Sequence, residues 1–192
     1  FAMTAVMIAL SLAGKPDIAA DVGIVHGATV ALLYAFSANA RSIVLSPSTG
    51  IPPGSILCTR LLLLLPLGGL SYLLSTHLGG VEAPLAFVLV LRRCTEWVAE
   101  IHVSEMELRK ETKPASIFLA LQIVLAFSVS GWMLADLPFL LMVMLAWATS
   151  PLWISSNFIL ERARVRFLTK GTWLRQLPHF GSTAVIGISV YL

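Results

Sequence analysis

The sequence predicts an all-α, polytopic transmembrane helix bundle, and three observations carry that prediction. First, 57% of the 192 residues are hydrophobic and only 12% are charged, about half the charged share of roughly 25% in globular domains. A chain this apolar cannot cover its surface in water. Second, the apolar residues fall into successive runs separated by proline, glycine and charged connections. Third, the basic residues alternate. The connections after the second, fourth and sixth runs hold twelve of the thirteen lysines and arginines, and those after the odd runs hold only Lys15. Under the positive-inside rule, the N-terminus and the even-numbered helix exits face the cytoplasm.

The runs give about six spans plus the start of a seventh. Both ends, 1–13 and 180–192, are apolar stretches too short to cross a bilayer, so the chain reads as a fragment with its first and last helices truncated. A signal peptide is the alternative for the first stretch, but a basic leading region is missing there. The first helix ends at Gly14. The second starts at Lys15-Pro16-Asp17, with proline in the first turn and acids near the positive helix end, and is expected to continue to about Leu45. A turn-rich loop, Ser46 to Ser55, precedes the third helix, Ile56 to His77. Arg60 sits one turn inside its start, where it could snorkel to the interface.

The fourth helix opens at Pro84, and its polar tail, SEMELRKETK, should extend it into water, with Glu105 and Arg109 spaced i, i+4. The fifth starts after Pro114 and ends at Leu134. A short hairpin follows, with Asp136 as cap and Pro138 as an early helical residue of the sixth helix, 137–156. Residues 157–179 are basic, with an apolar stripe of Leu160, Ala163, Phe167 and Leu168. They predict an interfacial helix broken at Gly171, facing anionic lipid headgroups and not nucleic acid. The domain reading is one transmembrane bundle over 1–179 and the start of a second at 180–192.

The fourth helix carries the functional signal. Its purely apolar run, Leu85 to Leu91, is seven residues long, whereas a spanning helix needs about 20. To cross, it must continue to about Ser104, which draws Arg92, Arg93, Glu96 and Glu100 into the hydrocarbon region. Spacings of three and four place them on one face. Such groups cost at least about 2.5–3.5 kcal/mol each near mid-bilayer on insertion scales. They persist by pairing with one another, by sitting at the interface on a shallow helix, or by lining a wet cavity. In the last case the planar guanidinium forks suit a phosphate, and the neighbouring carboxylates make the site releasable.

Other chemistries find no pattern. His102 with Glu100 and Glu105 lacks the spacing of a helical zinc motif, and no metal or other cofactor is expected. Cys58 and Cys94 lie inside predicted spans as reduced thiols. A Gly-rich phosphate loop and a nucleophile-elbow serine are both missing from the sequence, so an enzyme is not the expectation.

LRRCTEWVAEIHVSEMEL, AFSANARSIVL and LPHFGSTAVIGISVYL resemble polysaccharide-biosynthesis flippases of the multidrug/oligosaccharidyl-lipid/polysaccharide exporter superfamily. The resemblance implies two six-helix bundles around a central cavity, with this chain supplying the amino-terminal one and the remaining carboxy-terminal bundle as its partner. It implies transport, across the bacterial inner membrane by alternating access, of an oligosaccharide on an undecaprenyl-pyrophosphate carrier. Arg92 and Arg93 would meet the pyrophosphate, Glu96 and Glu100 would tune them, and Arg41 and Arg60 would attract the headgroup. Two other classes remain open. One is a membrane transferase acting on polyprenyl-phosphate sugars, with Asp136 and Glu82 as thin candidates for an acidic pair. The other is a non-catalytic scaffold.

Overall fold

The computed structural model describes residues 2–37, 40–46, 50–135, 137–163, 175–176 and 178–179. Among them the chain is helical throughout, with no strand. The helices are α1 (Ala2–Leu12), α2 (Pro16–Ala35), α3 (Ala40–Leu45), α4 (Pro53–Leu73), α5 (Ala83–Leu108), α6 (Thr112–Leu134), α7 (Leu140–Ile154) and α8 (Ser156–Arg162). A π-helical turn, Leu74–Leu78, prolongs α4.

Among the described residues, three helices are long and apolar enough to cross a membrane: α2, α4 with its π-turn, and α6. The pair α7 and α8 makes a fourth if its 51° bend lies within one span. At eleven residues α1 is short. At 26 residues α5 is about 39 Å long, so its length suffices, and its charges set it apart from the other long helices.

α5 is the hub and packs on α2, α3, α4, α6 and α7. Its core residues Ala86, Val88, Leu89 and Val90 meet Met3, Val6 and Leu10 of α1, Val22 and Val25 of α2, Val129 of α6 and Trp147 of α7 in one apolar cluster. Apolar side chains pointing away from this core, such as Leu65 on α4, and Ile117 and Phe127 on α6, stay exposed, as a lipid-facing surface requires.

Most of the connections follow the sequence. Gly14 closes α1 at φ +77°, with Lys15 N–H donating to Leu10 O and Gly14 N–H to Ser11 O, the Schellman pattern that glycine favours. Four expectations need correction. The second helix does not run to Leu45 but stops at Ala35. Short α3 then buries Ile43 and Val44 against Ile56 and Ile101. Ser37, whose short polar side chain competes with helical backbone, sits at the break. The tail of α5 does not extend through SEMELRKETK. It ends at Leu108 in a second Schellman corner, in which Glu111 N–H donates to Met106 O and Lys110 takes φ +59°.

The third correction is at α6, which begins at Thr112, before Pro114. First-turn N–H groups have no helical acceptor, so proline is tolerated there. The fourth is at α7, which begins at Leu140, with Pro138 left outside. Trp132 Nε1 donates to Pro138 O at 3.0 Å and holds that turn. Asp136, 164–174 including Gly171, and 180–192 lie outside the described residues. Of the expected interfacial stretch, α8 leaves Leu160 78% exposed, while Gln176 is buried against α4, donating to Ser55 Oγ and accepting from Thr59 Oγ1.

Candidate functional site

The site grows from a fault in α7. Pro151 stands inside that helix and supplies no N–H, so the carbonyl of Trp147, four residues earlier, loses its helical donor. In an apolar interior an orphaned carbonyl must find another partner. Arg92 of α5 supplies one, its Nη1 donating to Trp147 O at 2.8 Å and to Ser150 Oγ at 3.2 Å. One turn along, Thr95 Oγ1 donates to Ala148 O at 2.6 Å. The Arg92 guanidinium also lies over the Trp147 ring, 4.7 Å from its centroid. On its other side Nε and Nη2 both reach Glu96 Oε1 at 2.8 Å. Arg92 is thus fully enclosed, at 1% exposure, and its donors are largely spent on protein acceptors.

Arg93 differs. Its Nη1 donates to the second carboxylate oxygen of Glu96 at 2.8 Å, but its side chain keeps 21% exposure and its buried Nε has no partner. Glu96 therefore joins two guanidinium groups with one carboxylate.

A parallel arrangement forms on the other side of α5. Arg60 turns inward from α4 and is also 1% exposed, so it does not snorkel. It donates to the carbonyl of Trp97, to Glu100 Oε2 at 2.7 Å and to Ser37 Oγ at 3.2 Å, and stacks 4.9 Å over the Trp97 ring. Each buried arginine thus meets an α5 glutamate, a tryptophan carbonyl and the same tryptophan's face. Arg41 on α3 makes a bidentate, exposed pair with Glu107, at 3.0 and 3.1 Å.

These pairs border a cavity of about 990 Å³ between α1, α2, α3, α5, α6 and the Pro151 turn of α7, at the upper end of the size range of small-molecule sites. Of the sequence-predicted residues, Arg41, Arg92, Arg93, Glu96 and Glu100 line it, and Arg60 stands behind Glu100. Its other walls are mainly apolar, including Ile8, Val30, Leu119, Ile123 and Ala126, with Tyr34 and Gln122. The cavity is therefore two-natured, with an ionic strip on α5 facing hydrocarbon side chains.

The residue pattern alone did not single out Trp97, Trp147, Ser150 or Glu107 as members of this site. A proline within an apolar helix was the available signal for Trp147 and Ser150, because it announces an orphan carbonyl four residues earlier. At the other end of α5, Glu105 accepts from Arg109 and Arg162 beside His102, whose Nδ1 lies 3.0 Å from Ser155 Oγ. Among the described residues no group of three or more histidines, cysteines or acids could hold a metal. No protein-family model, curated protein or solved structure matches the chain.

Proposed function

We propose that the chain forms the amino-terminal bundle of a flippase that moves lipid-linked oligosaccharide across the bacterial inner membrane by alternating access. The observation that carries this reading is the two-natured cavity. A polyprenyl carrier offers a long apolar chain, a phosphate and a polar glycan, and such a ligand needs an apolar wall beside a releasable cation. Arg93 is that cation, half-buried on the wall and only partly satisfied by Glu96. Arg92 acts on it indirectly, by holding Glu96 from the other side. Arg41 stands on the cavity wall at its exposed pair with Glu107 and meets the headgroup first.

The finer topology belongs to the same proposal. The runs containing α1, α2, α4, α5, α6 and α7 are six spans, and the basic connections lie in the cytoplasm. For α5 the cavity explains how a charged helix crosses: its ionic strip faces a wet chamber and its other residues face the core.

The test uses the full-length protein in vesicles with a fluorescent polyprenyl-linked oligosaccharide. Arrival of the label in the opposite leaflet should require the protein and fall about tenfold with Arg93→Ala, the effect of losing roughly 1.4 kcal/mol of binding. Unchanged transport in folded Arg93→Ala protein would favour a scaffold, and a new glycosidic bond in the recovered lipid would favour a transferase.

A further inference from the structure

Among the described residues, three buried N–H groups on the cavity lining have no hydrogen-bond acceptor: Arg93 Nε, Trp97 Nε1 and Gln122 Nε2. An unpartnered donor in an apolar interior destabilises the fold and calls for a specific explanation. Two of the three residues have a structural task besides. Arg93 pairs with Glu96, and Trp97 holds Arg60 with its carbonyl and its ring. Gln122 is more loosely tied. It is the one polar side chain between Ser116 and Ser128 on α6, and it is 7% exposed.

The amide is held at one end. Arg92 Nη1 donates to Ser150 Oγ at 3.2 Å. The single hydroxyl proton of Ser150 has two acceptors, Trp147 O at 2.8 Å and Gln122 Oε1 at 3.3 Å. Arg92 already serves Trp147 O, so that proton is available to Gln122. Ser150 thus takes the carbonyl end of the amide and leaves the NH2 end as the spare donor, two hydrogen bonds from the ionic strip. We infer that Gln122 is a substrate-binding residue, whose Nε2 donates to a phosphate oxygen of the lipid-linked diphosphate paired with Arg93. Nε2 itself is covered, and the broad terminal torsion of glutamine lets it turn toward an arriving oxygen. The inference rests on the proposed transport of lipid-linked glycan. It concerns one donor, so it does not depend on which walls complete the cavity. A carboxamide gives an anion a hydrogen bond without a charge, which favours release more than a further arginine would. A sugar oxygen offers the same acceptor, and the two sources are separated by the choice of probe.

A purely structural role makes different demands. An amide that serves Ser150 is replaced well by glutamate, which keeps the acceptor and the size, and poorly by methionine. An amide that serves the ligand leaves its NH2 idle in the fold. Methionine then removes an unsatisfied donor, and the Ser150 proton passes to Trp147 O, so the fold loses little. Glutamate, ionised at about pH 8, is then the worse substitution for binding, because it exchanges a donor for a charge that repels phosphate.

The experiment measures equilibrium binding at about pH 8 to the full-length protein in nanodiscs of neutral lipid, beside thermal unfolding of the same variants. The probes are a polyprenyl diphosphate with one sugar, the same diphosphate without it, and a polyprenyl glycoside lacking phosphate. Gln122→Met should weaken both diphosphates about tenfold, leave the glycoside unchanged and unfold no earlier than the unmodified protein. Gln122→Glu should weaken the diphosphates further. Unchanged diphosphate binding in Gln122→Met overturns the inference and leaves the transport reading standing. So does earlier unfolding or failure to fold of that variant, because an idle donor does not hold a fold together. Binding by Gln122→Glu at the level of the unmodified protein has the same consequence, and assigns the amide to Ser150 alone. A loss confined to the sugar-bearing probes keeps the donor role and overturns the phosphate as its acceptor. Diphosphates bound no better than the glycoside by the unmodified protein overturn the inference and the transport reading together.

Discussion

Arg92 and Arg93 are adjacent in sequence, and their substitutions should have opposite consequences. Arg92→Ala strips Glu96 of two hydrogen bonds and leaves the Trp147 carbonyl without its arginine donor. Breaking a buried pair on one side costs about 3–5 kcal/mol, so thermal unfolding of the detergent-solubilised protein should come markedly earlier. Arg93→Ala should lower stability by no more than about 1 kcal/mol, because the side chain is partly solvated, while lowering affinity for an anionic lipid. The link to proline is testable by a double-mutant cycle. In a Pro151→Ala background residue 151 again offers an N–H to Trp147 O, and the penalty of Arg92→Ala should shrink by about 1–2 kcal/mol. Additive effects would show that Arg92 does not serve that carbonyl. The sequence made the cluster legible, because four ionisable residues at helical spacing in an apolar run call for partners. Which arginine would be enclosed was not legible, since that depends on Pro151, more than fifty residues away. The burial of Arg60 was not legible for the same reason: snorkelling is a local argument, and Glu100 reaches Arg60 only through the packing of α4 on α5.

Helix boundaries show where local signals suffice. Gly14, Pro16 and Leu134 mark ends that the sequence announces and the fold keeps. At the end of α5 the signals conflict. The residues from Glu105 to Lys113 favour helix continuation, yet Lys110 adopts a left-handed conformation. The corner turns the chain so that α6 can pack on α1 and α7, and tertiary burial outweighs local propensity. Lys110→Gly should therefore stabilise the protein by up to about 1 kcal/mol, read as a later unfolding transition. The turn from the π-helical segment into α5 makes the reverse case. A side chain at Gly79 would put a Cβ 2.5 Å from Ile24 Cγ2 and 2.7 Å from Ser75 O. Gly79→Ala should cost about 1–3 kcal/mol through overpacking between α2 and this turn. An unaltered transition in that variant would show that the π-turn and α2 separate freely.

At the scale of the whole molecule, composition was enough to announce a helical membrane protein. It was not enough to fix the number of crossings, because α5 is long but charged, α1 is short, and α7 bends into α8. The charge asymmetry of the connections predicts that Lys113→Cys is labelled from the cytoplasmic side and Glu82→Cys from the opposite side of intact cells. Labelling of both from one side would remove α5 as a span. The sequence raised a cavity beside the charged cluster as one reading, but which helices wall it was not legible. Its walls come from six helices, and the ionic strip faces open space only because α1 and α6 stand back from it.

That space is the central claim, and water access tests it without knowledge of any ligand. In a background with Cys58 and Cys94 replaced by alanine, a membrane-impermeant thiol reagent would be applied to Glu100→Cys and Leu65→Cys in the bilayer. Glu100 faces the cavity with its side chain 42% exposed, and Leu65 is 83% exposed on the outer apolar surface. The account predicts rapid labelling at position 100 and none at position 65. If position 100 proves as unreactive as position 65, the ionic strip lies in a dry interior, and the reading of this bundle as a transport chamber is contradicted.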